Sequence, residues 1–573
     1  MKNYLYLLIL ITVLLFSNCH QEKEVTIKFY HTTDIHSNFF SKNFLNKGFY
    51  GGGLARISTF IKTQRNQYEQ NMIFMDGGDV LQGQPAVYYY NFVDTIAEHV
   101  CARMMNYLKY DVAVPGNHDI EAGHAVYNRW INECDFPVLG ANIISVKDQQ
   151  PYLQPYKIFY RSGIKIAVLG LITHAIPAWI PENLWSGLCF DEIRYTAAKW
   201  VPYINEHERP DVIVALIHSG LEGGTLSDYH ENEALSLATS VPGIDVVFFG
   251  HDHSDCCKKV INNENDSVLL INPGGFGFNV SDVSIQIKKK GNKIISKTIS
   301  GQLADVSTLN RDSSFMNEFK GVYDTIQSYV NQEIGELTHP LDARESFFGS
   351  SAFIDFQHQL QLGLTGADIS FAAPLSRTAF VKPGKVYVRD MFSIYPFENL
   401  LYTMELTGQE IYNALEYCYG MSTNQMKSPN DHLLLIEPLF DSDKFFFTER
   451  TYTFDSAAGI EYTVDATKPK GQKVTITSKS DGAPFDLNKT YKVAVTSFQG
   501  SGGGGILTLG AGIPKKDLPA RILFSTDKDL RYYMIEMIKE EKKITPEKLN
   551  QWKYIPEKWT DKAGKRDWKL LFG

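Results

Sequence analysis

The stretch Val114-Pro115-Gly116-Asn117-His118-Asp119 constrains this chain more than any other, because an amide, an imidazole and a carboxylate follow directly where an apolar run stops. Alone, it reads equally well as a turn with a capping Asn and a surface His. Four further apolar runs end in the same way. Residues 27–30 are followed by Asp34-Ile35-His36, residues 72–75 by Gly78-Asp79, residues 212–217 by His218, and residues 246–249 by His251-Asp252-His253. Short, mostly apolar runs predict strands of a sheet covered on both faces. In open α/β sheets, sites collect at the carboxyl ends of strands, so ligands far apart in sequence converge there.

The residue types that recur are informative. Carboxylate, amide oxygen and imidazole suit divalent Zn, Mn, Fe or Co, and no Cys occupies any of these positions. A carboxylate can also bridge two cations, and ions roughly 3.5–4 Å apart polarise a phosphoryl oxygen while activating water for in-line attack. The pattern therefore reads as a dinuclear phosphoesterase centre.

Asp34-x-His36, Gly78-Asp79, Gly116-Asn117-His118-Asp119, His218 and Gly250-His251-x-His253, in that order, resemble the motifs of calcineurin-type metallophosphoesterases. The flanking text resembles the secreted 5'-nucleotidase and 2',3'-cyclic-nucleotide phosphodiesterase family over nearly all of the chain after the leader. The resemblance implies an α/β fold: an αββα metallophosphoesterase sandwich followed by a mixed α/β substrate-specificity domain. It further implies that Asp34, His36, Asp79 and His253 hold one divalent ion, and that Asp79, Asn117, His218 and His251 hold a second, with Asp79 bridging. The implied reaction is attack of a metal-bound hydroxide on phosphorus, with His118 stabilising the phosphoryl charge or protonating the leaving oxygen. Glu121 stands where the 5'-nucleotidase branch commonly has an Asp three positions after the catalytic His, and is the expected partner of His118. His31 and His174 lie near strand ends but have no counterpart in the ligand set, and read as structural.

Composition sets the frame for these expectations. At 573 residues the chain is long enough for several domains, and 44% hydrophobic with 21% charged residues marks it as globular. A formal charge of −9 gives no electrostatic reason to bind long nucleic acid. The chain opens Met1-Lys2 and continues through an apolar stretch to Ser17-Asn18-Cys19, an export signal with a lipobox-like cysteine over residues 1–19. The expected location is the periplasm or cell envelope, with membrane contact through a lipid on Cys19. The other six cysteines are scattered, their pairing is not deducible, and Cys256-Cys257 reads as structural.

The expected domains are a metallophosphoesterase domain over 25–305, a linker helix within 306–337, a C-terminal nucleotidase domain over 338–540, and a tail over 541–573 that packs on the body. In the second domain, residues 367–375, 395–400, 453–455 and 496–505 resemble the family's substrate-specificity text. By motif position Phe454 and Phe498 are the rings expected to sandwich the base, and Arg377 is an expected phosphate or ribose contact. Two departures favour the cyclic-phosphodiesterase/3'-nucleotidase branch. Gly502-Gly503-Gly504-Gly505 replaces a Gly-Gly-Asp-Gly, and Ala372-Ala373-Pro374-Leu375-Ser376-Arg377 replaces an Asn-Gly-Gly-x-Arg segment. The alternatives are a 5'-nucleotidase or UDP-sugar hydrolase of the same family and, from another class, a non-catalytic nucleotide-binding surface lipoprotein.

Overall fold

The computed structural model describes residues 22–45, 48, 51–226, 229–291, 293–439 and 444–573. The leader and Cys19 lie outside the described residues. The chain divides into two compact units, residues 1–176 with 182–326, and residues 177–181 with 327–573.

The N-terminal unit is a four-layer sandwich. One sheet runs in the order Lys293–Asp305, Asn279–Lys290, Glu22–Thr32, Met72–Asp76, Val112–Ala113. Its last three strands are parallel, and the long hairpin joins antiparallel. The second sheet runs Asp255–Ile261, Ser267–Pro273, Val246–Phe248, Val212–His218, Ile164–Ile172, Tyr156–Arg161.

Alternation along each strand decides which layer a side chain joins. Ile27 and Phe29 face inward with Ile73, Met75, Val214, Leu216 and Phe248 between the two sheets. Tyr30 points the other way and donates its hydroxyl to Gln64 at 2.8 Å on the covering helix Leu54–Tyr68. In Val212–His218, Val212, Val214 and Leu216 enter the inter-sheet core, while Ile213, Ala215 and Ile217 pack with Ile193, Ala197 and Leu237 of the outer helices. With both faces buried, the strands read as continuous apolar runs, and polar groups are confined to their ends.

The helical pattern after residue 312 resolves into Ser313–Glu318 and Lys320–Val330, followed by the strand Glu333–Leu337. Asp312 caps the first of these by accepting from Ser314 N. Phe315 is buried against Phe40 and Tyr107.

The C-terminal unit carries a five-stranded sheet in the order Ser456–Ala458, Ile369–Ala372, Thr490–Thr496, Leu401–Thr407, Ile522–Ser525. Helix Ala352–Thr365 begins at Ser351, whose hydroxyl accepts from Ile354 N, and ends at Gly366 in the left-handed conformation. Helix Gly408–Ser422 opens on a Thr407/Glu410 capping box. The tail is part of this unit's core. Trp552–Ile555 pairs parallel with Ile460–Asp465, and Trp552, Tyr554 and Ala563 are buried in the same cluster as Tyr419 and Tyr462. Among the described residues, no helix is long and apolar enough to cross a membrane.

Candidate functional site

The carboxyl ends of the N-terminal unit's strands bring seven oxygen and nitrogen donors together. Asp34, His36 and His253 form one group and Asp79, His218 and His251 another, with the ligand atoms of each group within 4.8 Å of one another. Asp79 belongs to both neighbourhoods: its Oδ2 lies 3.2 Å from His218 Nε2 and 3.9 Å from His36 Nε2. Asn117 Oδ1 is 3.1 Å from His218 Nε2, on the same side as the second group.

Asp34, Asp79 and His218 are each aimed by a bond to the other end of the side chain. Asp34 Oδ2 accepts from Thr33 Oγ1 at 2.6 Å and from His251 N at 2.9 Å, which turns Oδ1 toward His253 Nε2 at 3.3 Å. Asp79 Oδ1 accepts from His118 N at 2.9 Å, leaving Oδ2 between the groups. His218 Nδ1 donates to Gly77 O at 2.7 Å, which orients the ring and turns Nε2 toward Asp79 and Asn117.

Beneath the site, Asp119 is fully buried and accepts from four amides, those of Asp79, Val80, Leu81 and Gly116, at 2.7–2.9 Å. The loop after residues 72–76 is thereby tied to the helix Asn117–Glu121. The approach is close enough to require glycine: a Cβ on Gly116 would lie 2.0 Å from Asp79 Oδ1. Asp252, between the two His of the last motif, points away and accepts from Leu221 N and Asn272 Nδ2, both at 2.8 Å.

The backbone around the donors is unusual. Asp34, His36, Asp79, His251 and His253 have φ of 52°, 45°, 59°, 76° and 52°, in the left-handed region that non-glycine residues seldom occupy.

The electrostatics require positive charge in the cluster. His36 Nε2 and His253 Nε2 face each other at 3.0 Å. Asp34 Oδ1 is sealed from solvent and is faced only by imidazole nitrogens, His253 Nε2 at 3.3 Å and His36 Nε2 at 4.0 Å, and a buried carboxylate needs compensating charge. Burial and its neighbours split the imidazoles: burial brings His36 down to about 4, whereas His218, despite burial, is drawn up to about 9 by Asp79 and Asp34. Burial works against ionisation of Asp79, yet the charges of His218 and His118 hold it well below the usual carboxylate range. An all-N/O donor set converging on two buried carboxylates fits divalent cations.

His118 stands at the edge with its side chain 30% exposed, and its Nδ1 lies 2.6 Å from Glu121 Oε2 one helical turn on. The extra methylene of Glu therefore does not prevent contact with the imidazole. His31 is fully buried, its Nδ1 near Ser281 Oγ, with burial pushing its pKa down to about 3. His174 pairs with Glu233 Oε2 at 3.1 Å.

The two rings expected to sandwich a base in the C-terminal unit differ in burial. Phe498 is half-buried on the short helix Ser497–Gly500, but Phe454 is core: it is 8% exposed and packs against Phe347 and Phe447 at ring separations of 5.2 and 5.0 Å. The ring opposite Phe498 is Tyr452, 38% exposed, with centroids 5.6 Å apart and planes at 70°. Tyr452 and Phe498 line a pocket with Gln357, Gln361, Asn399 and Gln499. The 3-10 turn Thr451–Thr453 explains the exchange, because it places residue 452 outward and turns residue 454 inward. The neighbouring Asp455 is buried and accepts from Gln499 Nε2 at 2.5 Å, anchoring the residue after Phe498. Arg377 is exposed, its guanidinium 5.4 Å from the Phe447 ring.

Glu231, which lies outside every motif, has its Oε1 2.8 Å from His251 Nε2. It sits in a hairpin with no ligand-like text, so only the fold reveals it. Asp119 was visible in its motif, though its four-amide role was not.

Comparison with known proteins agrees with this architecture. Residues 27–255 match the calcineurin-like phosphoesterase family, and residues 333–510 match the 5'-nucleotidase C-terminal domain. The chain is 26% identical over 546 residues to the 2',3'-cyclic-nucleotide 2'-phosphodiesterase/3'-nucleotidase of Salmonella typhimurium, covering 84% of this chain and 82% of that one. It is 24% identical over 594 residues to the trifunctional nucleotide phosphoesterase protein YfkN of Bacillus subtilis, covering 92% of this chain and 39% of that longer one. The chain thus spans about two fifths of that relative's length. A crystal structure from Staphylococcus aureus described as a 5'-nucleotidase shares the fold with a TM-score of 0.74 at 22% identity, covering 92% of this chain and 100% of that one. The chain thus joins a calcineurin-like phosphoesterase domain to a 5'-nucleotidase C-terminal domain. It is accordingly a hydrolase of phosphoric esters that depends on divalent metal.

Proposed function

We propose that this chain is an exported, dinuclear metal-dependent nucleotide phosphoesterase that opens 2',3'-cyclic nucleotides and hydrolyses 3'-nucleotides. The observation that carries the dinuclear reading is the position of Asp79 Oδ2, within 4 Å of an imidazole nitrogen of each group. Asp34, His36, Asp79 and His253 would hold one cation, and Asp79, Asn117, His218 and His251 the other. When bound, the cations supply Lewis-acid polarisation of the phosphoryl group and a water acidified toward neutrality.

The chain's own residues do the rest. Asp119 and the Gly77 carbonyl hold the donors in place before substrate arrives. His118, with Nδ1–H donated to Glu121, directs Nε2 at the ester and moves the proton that the leaving oxygen needs. Phe498 and Tyr452 stack on the nucleobase, a contact that tolerates every base, and Arg377 contributes positive charge toward phosphate or ribose.

The preference for the cyclic and 3' esters is supported by the name of the Salmonella relative and by the absence of a carboxylate from Gly502-Gly503-Gly504-Gly505. Export and a lipid on Cys19 rest on the leader text alone. The decisive experiment compares rates on 2',3'-cyclic AMP, 3'-AMP, 5'-AMP and a UDP-sugar, with Mn²⁺ or Zn²⁺ and after chelation. Cyclic AMP and 3'-AMP should be hydrolysed fastest, with all turnover lost to chelator and restored by metal. A chain fastest on 5'-AMP is a 5'-nucleotidase, and one fully active after thorough chelation overturns the proposal.

A further inference from the structure

Between the strand end at His218 and the helix Ala234–Ser240, the chain makes a hairpin of Gly223–Leu226 and Tyr229–Asn232. Its return strand is tied to the rest of the unit by the backbone of Glu231, whose carbonyl accepts from Thr173 Oγ1 at 3.0 Å and Ser219 Oγ at 2.9 Å. Next to it, Asn232 Oδ1 accepts from Gly220 N at 3.0 Å. Thus fixed, Glu231 reaches Oε1 to 2.8 Å from His251 Nε2. The opposite strand makes room: a Cβ on Gly224 would fall 2.5 Å from Glu231 Oε2.

We propose that Glu231 is a positioning residue for the second cation, acting through His251. A carboxylate that accepts the Nε2 proton of a metal-binding imidazole fixes its tautomer, directs coordination to Nδ1 and raises the basicity of that nitrogen. His251 sits in a left-handed turn with φ 76° and has its backbone N–H committed to Asp34, and the hydrogen bond that its Nε2 donates to Glu231 restrains the rotation of the ring. An exposed ion pair of no consequence would have no reason to be backed by two hydroxyl contacts and a glycine. The first group, Asp34, His36 and His253, has no contact with Glu231 among those described, so the effect belongs to one of the two cations.

This inference rests on the dinuclear reading above, and its test separates the two. Metal-free full-length protein is titrated with Mn²⁺ alone by calorimetry, without substrate, for the wild type, Glu231→Ala and Glu231→Gln. The wild type should take up two ions. Glu231→Ala should weaken one of them by about 10–100-fold and leave the other unchanged, and Glu231→Gln, which still accepts the hydrogen bond but lacks the charge, should recover part of the loss. Thermal melts in chelator should be the same for all three, showing that the hairpin still folds. Two ions bound by Glu231→Ala within twofold of wild-type affinity overturn the assignment of Glu231 alone. A wild type that takes up fewer than two ions overturns the dinuclear reading and this inference with it.

Discussion

Every donor in the N-terminal unit's two groups lies within five residues of a strand's carboxyl end, and Asp34, His36, Asp79, His218 and His251 have their backbone or far heteroatom tied down. Phe498 and Tyr452 in the C-terminal unit instead stand on a one-turn helix and a 3-10 turn, and meet edge to face. The first arrangement suits chemistry in which small misplacements are expensive in rate. The second suits recognition by stacking, where two rings need only offer their faces. Under the proposed function, metal would be ligated at the ends of buried strands and the base selected where short turns set ring orientation.

The largest effect should come from Asp79. Asp79→Asn removes the charge shared by both groups, and a loss of several kcal/mol of charge stabilisation corresponds to a fall in kcat of about a thousandfold. Turnover of bis-p-nitrophenyl phosphate, which has no base to stack, measures this directly. His118→Ala should lower kcat by about a hundredfold on the same substrate with little change in metal stoichiometry. A loss of bound metal in that variant would assign His118 to coordination instead.

The aromatic side of the comparison predicts a different split. Tyr452→Ala and Phe498→Ala should each raise KM for nucleotides by about tenfold, in line with stacking of about 1–3 kcal/mol per base, while bis-p-nitrophenyl phosphate turnover stays near wild type. Phe454→Ala should do the reverse, destabilising the fold by about 3–5 kcal/mol as a core truncation, read as a lower Tm. If Phe454→Ala raised KM at unchanged Tm, the exchange of Tyr452 for Phe454 would be wrong.

The smallest effect concerns pH. Burial pushes the Asp455 carboxyl up to about 8, with the hydrogen bond from Gln499 pulling the other way. Its unfolded value is about 3.9. The folded chain therefore holds a proton that the unfolded chain has released, and this contribution is lost as pH rises from about 4 through 8. Asp455→Asn keeps an acceptor for Gln499 and cannot ionise. Its Tm relative to wild type should rise by about 2 °C between pH 5 and pH 8, and a flat difference would remove Asp455 from the balance.

The N-terminal unit was largely legible in its text because burial on both faces of a sheet leaves an apolar run with nowhere for polar groups except its end. Asp34, Asp79, Asn117, His218 and His251 announced themselves by that contrast. Glu231 did not, since a hairpin between two elements carries no such contrast and its relation to His251 spans two loops. Phe454 and Tyr452 are two residues apart in one short motif, and which of them faces outward depends on a 3-10 turn that hydrophobicity does not encode. Asp455 belongs to the same motif, yet its burial beneath Gln499 follows only from how the short helix after Thr496 caps itself.

The left-handed backbone at Asp34, His36, Asp79, His251 and His253 governs how such a protein can drift. A glycine at any of these sites would relax the chain and delete a donor, and a β-branched residue would be rejected by the backbone outright. Asn is the side chain most at ease there, and from Asp34 or Asp79 it preserves the shape while discarding the charge. The easiest path away from activity therefore leads to a well-folded descendant that keeps its pockets and no longer turns over.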